Sequence, residues 1–229
     1  MTYHPLAETH DTGEAYWERL GILGSSTGMA PIISANKTMP SVDAYTNNQT
    51  IAITDSVLKY TLTGGNANRE FSWSLGATYS KVLAVSYFQW GSTMDLQGLA
   101  ISEDAYTGDQ GNPNYMDNYI RFMAYSYGNE MRLQKRVGGS YTTYGTDTTI
   151  YPEIAAYSPA YALAVYAEVG DPGVQTGWIK FGSTSQWFQL FSGIEGDLTT
   201  GFQTVGVGVG YTGGNVGRMI SPFYVWGAA

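Results

Sequence analysis

No cysteine occurs anywhere in the 229-residue chain, so a disulfide framework, a thiolate metal centre and a cysteine nucleophile are all excluded. Histidine is nearly absent as well. The only two are His4 and His10, so a Ser-His-Asp site would require the N-terminal segment to fold over the rest of the chain. Charge is sparse, at 13% of residues, and eleven Lys and Arg stand against nineteen Asp and Glu. The resulting formal net charge of −8 argues against binding nucleic acid or an anionic membrane, because both need a basic surface to displace counterions. The opening MTYHPLAETHDTGEAYWERL has no basic stretch followed by an apolar one, and no apolar run reaches 18 residues, so neither a classical secretory route nor a membrane span is expected. No P-loop is present, and GVGVG at 206–210 leads into a glycine-rich turn where a dinucleotide fold would need a helix.

What the chain has in abundance is glycine (29), tyrosine (19) and apolar residues (43%), the composition of strands and tight turns. Strands are expected at Thr50–Asp55, Val57–Thr63, Phe71–Leu75, Lys81–Trp90, Leu96–Ser102, Asn118–Ser126, Glu130–Val137, Ser140–Tyr144, Tyr161–Val169, Gly177–Phe181 and Gln186–Ser192. Lys81–Trp90 is apolar on both faces and is expected to lie centrally in a sheet. The single helical pattern is Glu14–Leu20, capped by Asp11 or Thr12, with Tyr16, Trp17 and Leu20 as its apolar stripe. No fixed-period repeat supports a propeller or solenoid. The expected organisation is an arm over residues 1–40, ending after the small-residue run Gly24-Ser25-Ser26-Thr27-Gly28, and one all-β domain over 41–229.

The most patterned stretch is Gly201–Gly227. Val205, Val207 and Val209 alternate with Gly206, Gly208 and Gly210, which leaves one strand face without side chains, and something must lie close over it. Thr212-Gly213-Gly214-Asn215 reads as the turn of a closing hairpin, and Met219–Trp226 as its aromatic return strand, with Pro222 marking an edge or a bulge. A GxGxG strand followed by a short loop and an aromatic final strand resembles the end of the concanavalin A-like lectin/glucanase jelly roll, the family that includes laminin G-type domains. The resemblance covers roughly Ser41–Gly227 and implies an antiparallel jelly-roll β-sandwich.

The acidic loop Ser102–Asn118 concentrates oxygen donors. Glu103, Asp104, Asp109, Asn112 and Asp117 are a candidate set for calcium, which takes six to eight hard oxygens in flexible geometry. Gly111-Asn112-Pro113-Asn114 followed by Asp117 resembles the calcium loop of legume-type lectins, although the family's histidine after the last aspartate is missing. Glu195-Gly196-Asp197 resembles the catalytic strand of the fold's glucanases, but Thr200 stands where a third carboxylate belongs, so the acid/base role has no occupant. Tyrosines crowd the middle of the chain among Asn, Asp and Thr, the chemistry of sugar stacking and equally of protein interfaces. Asn114, Tyr115, Tyr141, Tyr144 and Trp90 are the candidate ligand-binding residues.

A tyrosine- and glycine-rich β-domain behind an arm looks like the accessory proteins of bacteriophage virions: head decorations, fibres or receptor-binding tips. The resemblance implies a non-enzymatic, homo-oligomeric module located on a virion, with a possible cell-surface glycan as ligand. A carbohydrate-active enzyme of the glucanase type and a purely structural capsid or tail component are the alternatives. Tyr16, Trp17 and Leu20 either attach the arm to other virion proteins or pack on their own domain. On the attachment reading, removing Met1–Pro40 leaves the sandwich folded.

Overall fold

The computed structural model describes residues 13–35, 38–45, 49–62, 69–89, 94–104, 118–125, 129–138, 140–148, 161–170, 173–181, 186–196, 198–211 and 216–229. Among these residues are one short helix, α1 (Glu14–Arg19), and fifteen strands in two antiparallel sheets. Alternating apolar residues and frequent turn signals dictate this layering, because each strand has one face to bury and the facing sheets bury it together.

The larger sheet runs β13 (Phe188–Gly196), β12 (Gly173–Phe181), β11 (Tyr161–Glu168), β6 (Lys81–Gln89), β15 (Val216–Ala228), β4 (Val57–Leu62) and β3 (Gln49–Thr54), with β1 (Ala30–Ala35) also paired to β15. As its two-sided apolarity required, β6 is central. The smaller sheet runs β10 (Ser140–Asp147), β9 (Glu130–Val137), β8 (Tyr119–Tyr125), β7 (Met94–Ser102), β14 (Phe202–Tyr211), β5 (Arg69–Tyr79) and β2 (Ala44–Tyr45). Phe71, Trp73, Leu99, Ile101, Phe122, Leu133, Leu163, Val205, Val207 and Phe223 fill the space between the sheets. One polar chain crosses this core: Gln97 Nε2 donates to Tyr60 Oη, and Tyr161 Oη donates to Gln97 Oε1. Burial holds the Tyr60 hydroxyl well above the ordinary tyrosine pKa, against the lowering effect of Gln97.

Three expectations are corrected here. Gly201–Gly227 is not a hairpin: β14 belongs to the smaller sheet and β15 to the larger, so the chain changes sheets between them. Alternation reveals a strand's buried face but not which sheet it joins. The expected break at residue 40 does not separate an arm from the sandwich, because β1 lies within the larger sheet, its Ala30–Ala35 in register with β15 from Gly227 to Phe223. The helix is capped by Gly13, at φ 75°, and not by Asp11 or Thr12, which lie outside the described residues.

Trp17 also departs from the docking expectation. It is fully buried against its own domain, 5.0 Å from Trp178 and 5.0 Å from Trp187 between ring centroids. This cluster covers the outer face of the larger sheet at Leu83, Val85, Ala164 and Trp226. A single helical turn is enough to seat one indole there, since that face is apolar and needs a lid. Tyr16 is half-buried beside the cluster, and only Leu20 of the predicted stripe is exposed, at 44%.

Pro222 behaves as expected. The β15–β6 register shifts between Ile220 and Phe223, and the same point divides the part of β15 paired with β4 from the part paired with β1. Proline contributes no N–H, so a bulge at a change of partner accommodates it.

Candidate functional site

The outer face of the smaller sheet carries the unusual chemistry. Strand alternation sends Leu99, Ile101, Phe122, Leu133, Val205 and Val207 into the core, so the residues between them face outward in cross-strand rows. One row reads Ser72, Gly206, Ala100, Arg121, Gln134, Thr143; a second reads Glu70, Gly208, Gly98, Met123, Arg132, Thr146; a third reads Ser74, Thr204, Ser102, Tyr119, Arg136, Tyr141. The middle of the face is thus floored by glycine and alanine, with guanidiniums and aromatics on the β8–β10 side.

The bare glycine face has an occupant. A Cβ on Gly208 would stand 2.8 Å from Arg121 Nη1, so the Arg121 side chain lies directly over β14. Arg121 is 2% exposed, and its Nη2 donates to Gln134 Oε1 at 2.9 Å, while Nε and Nη1 have no hydrogen-bond partner among the described residues. Its guanidinium carbon is 5.4 Å from the centroid of the Tyr119 ring. Burial raises the Tyr119 pKa far above the ordinary value; Arg121 opposes that shift, while Glu70 and Tyr141 add to it. The Tyr119 hydroxyl therefore stays neutral across the physiological range.

Tyr119 links this buried centre to the surface. Its Oη lies 3.4 Å from that of Tyr141, and Tyr141 is 45% exposed with the Arg136 guanidinium carbon 5.1 Å from its ring centroid. Tyr144 sits one residue beyond Thr143, where the β9–β10 register shifts, with Lys135 Nζ 5.5 Å from its ring centroid. Of the five predicted ligand-binding residues, Tyr141 and Tyr144 are therefore on one edge strand. Trp90, Asn114 and Tyr115 lie outside the described residues.

The predicted calcium residues divide in the same way. Asp109, Asn112 and Asp117 lie outside the described residues. Asp104 accepts from the Asn118 backbone N–H at 2.7 Å and from Asn118 Nδ2 at 3.0 Å, while Glu103 Oε1 accepts from the Thr200 N–H at 2.6 Å. The Thr204 hydroxyl donates to the Asp104 carbonyl, and Asn118 Oδ1 accepts from the Gly138 N–H. The Asp104 carboxylate thus ties residue 104 to residue 118 and the Glu103 carboxylate holds the Thr200 backbone, while the Asp104 carbonyl and the Asn118 side chain reach β14 and the β9–β10 turn. Among the described residues no three metal-ligating side chains come together.

The glucanase strand does not reach this face. Glu195 is on β13, an outer strand of the larger sheet, and Asp197 lies outside the described residues. On the smaller sheet, Glu70 and Glu130 are on β5 and β9, with three strands between them, and Glu130 is paired with Arg132. At ~4.8 Å per strand, four strand steps far exceed the 5–10 Å between the carboxylates of a glycosidase.

Sequence reasoning missed Tyr119, Arg121, Gln134 and Arg136. The signal was available as alternation of polar with apolar residues along β8 and β9, but alternation alone marks any face that is not core.

This two-sheet jelly-roll architecture is shared with solved legume-lectin-like domains. The VIP36 exoplasmic/lumenal domain in its Ca2+-bound form superposes with a TM-score of 0.58 at 16% identity, covering 89% of this chain and 93% of that one. The same domain bound to Ca2+ and Man3GlcNAc gives a TM-score of 0.58 at 15% identity, covering 87% and 88%. A legume lectin-like domain from Entamoeba histolytica gives 0.52 at 12% identity, covering 80% and 91%. No protein-family model matches the chain, and no curated protein is similar to it in sequence.

Proposed function

We propose that the protein is a non-enzymatic carbohydrate-binding module that takes its ligand on the outer face of the smaller sheet, at the end formed by Tyr119, Arg136 and Tyr141. The carrying observation is an exposed aromatic ring beside a cation: Tyr141 offers a stacking surface, with Arg136 next to it to meet sugar hydroxyls. The fold supports this reading, since VIP36 domains of the same architecture are described with bound mannose or Man3GlcNAc. An enzymatic reading has less to stand on, because the described carboxylates of this face are far apart or paired. Calcium, named with those VIP36 domains, would belong to the 103–117 loop, with Asp104 at its neck and Asp109, Asn112 and Asp117 as further donors.

Glycan-array screening followed by calorimetry tests the reading. Tyr141→Ala should weaken the best ligand by up to about tenfold, the scale of one aromatic contact. The melting temperature should change little, because Tyr141 is nearly half exposed at the sheet edge. Failure of the wild-type protein to bind any saccharide would overturn the proposal.

The finer setting we assign is a virion accessory module, homo-oligomeric and receptor-facing. Its support is compositional: a cysteine-free, tyrosine- and glycine-rich β-domain with net charge −8. Immunogold imaging of purified particles checks it, and particles without label would remove it.

A further inference from the structure

On the premise that the smaller sheet binds glycans, we propose that the face selects acidic saccharides, a sugar carboxylate being received by Arg121 above the Gly206/Gly208 floor. Three observations converge on this point. The first is the state of Arg121 itself. A guanidinium carries five donors in a planar fork, and here one nitrogen is held by Gln134 while Nε and Nη1 have no partner among the described residues, although the residue is only 2% exposed. Leaving a buried charged donor without an acceptor is costly, and a carboxylate meets the fork with two parallel hydrogen bonds.

The second is the shape and polarity of the surrounding row. Between Arg121 and Ser72 the sheet offers only Ala100 and Gly206, so no side chain longer than a methyl rises there. Ser72 Oγ, at the far end of that row, is fully buried and likewise has no partner among the described residues. A cation and a hydroxyl separated by a bare floor match a ring that carries a carboxylate and hydroxyls.

The third is charge. The chain as a whole is strongly acidic, yet this face presents Arg121, Arg132 and Arg136 against Glu70 and Glu130, and Arg132 is held by Glu130. Arg136, beside the exposed Tyr141, places a second cation at the entrance. A carboxylate reaching these rows meets the guanidiniums of Arg121 and Arg136, whose charge favours it over a neutral group.

Calorimetry with saccharides in charged and neutral pairs tests the assignment: tetragalacturonate with its methyl ester, and sialyllactose with lactose. The acidic member should bind roughly ten- to a hundredfold more tightly, the range for hydrogen bonds to a charged group. Arg121→Gln should make the two members of a pair equal, and Arg121→Lys should recover part of the preference. Gly208→Ala keeps the charge but drives its new methyl against Nη1, so it should weaken the acidic member alone. If Arg121→Gln does not fold, as judged by its melting curve, Gly208→Ala decides the matter. Equal binding of charged and neutral members by the wild-type protein would overturn the acidic assignment and leave glycan binding standing, whereas no binding of any saccharide would remove both.

Discussion

Trp17 shows how far a residue can be read from sequence. Its apolar stripe with Tyr16 and Leu20 was legible, but one amphipathic turn looks the same whether its partner is another protein or its own sheet. The structure resolves the choice through Trp178 on β12 and Trp187 just before β13, both of which pack against the indole. Trp17→Ala should therefore cost about 3–5 kcal/mol, as for other buried aromatics, and lower the thermal midpoint clearly. An unchanged melting curve would mean that the outer face of the larger sheet tolerates losing its cover. The glycine column illustrates the opposite case. Gly208 announced a close neighbour, and it is there, yet no local pattern named Arg121 as that neighbour because the contact is made across β7.

At the level of elements, most strands were legible from alternation or from short apolar runs bounded by turn residues, and β8 pairs with β9. β1 was not, since Ala-Pro-Ile-Ile-Ser-Ala is short, carries a proline and follows a small-residue run that reads as linker. Its pairing with β15 reverses the expected effect of truncation. Deleting Met1–Pro40 removes β1, Trp17 and Leu23 together, and should lower the melting temperature strongly or yield insoluble protein. A truncated protein with the full-length melting curve would restore the arm as an independent segment. A second element-level effect concerns pH. Lys81 and Glu168 face each other across β6 and β11 at 3.0 Å, and the Tyr166 hydroxyl donates to Glu168 at 2.8 Å. Burial raises the Glu168 pKa, but the Tyr166 and Lys81 hydrogen bonds outweigh it and the net shift is downward from 4.5. The pair therefore stabilises the fold above pH 4.5, and that contribution is lost as pH falls through the lower folded-state value. Lys81→Met should flatten the acid limb of the melting temperature, by a small amount fitting a part-exposed pair. An acid limb identical to wild type would show that the pair contributes nothing.

For the whole molecule, composition and turn spacing were enough for the sandwich, because two apolar sheets have few ways to bury their inner faces. The site was legible only in part: Tyr141 and Asp104 can be picked out by type, whereas the guanidinium at its centre depends on which strands are neighbours. The calcium proposal belongs at this scale too. A cation held in the 103–117 loop would bind the folded state alone, so chelator should lower the melting temperature and added calcium restore it. Absence of any shift would reduce Glu103 and Asp104 to the backbone contacts they make with Thr200 and Asn118.

The order of the strands in the larger sheet also governs when the protein can become itself. β15, which emerges last from the ribosome among the fifteen, is the strip to which β6, β4 and β1 are all joined. Until it is made, one side of that sheet has β3 and β4 and the other has β6, β11, β12 and β13, with no other described strand to join them. Assembly of that sheet therefore waits on β15 and is dominated by pairings distant in sequence, slow by nature and open to aggregation in the meantime.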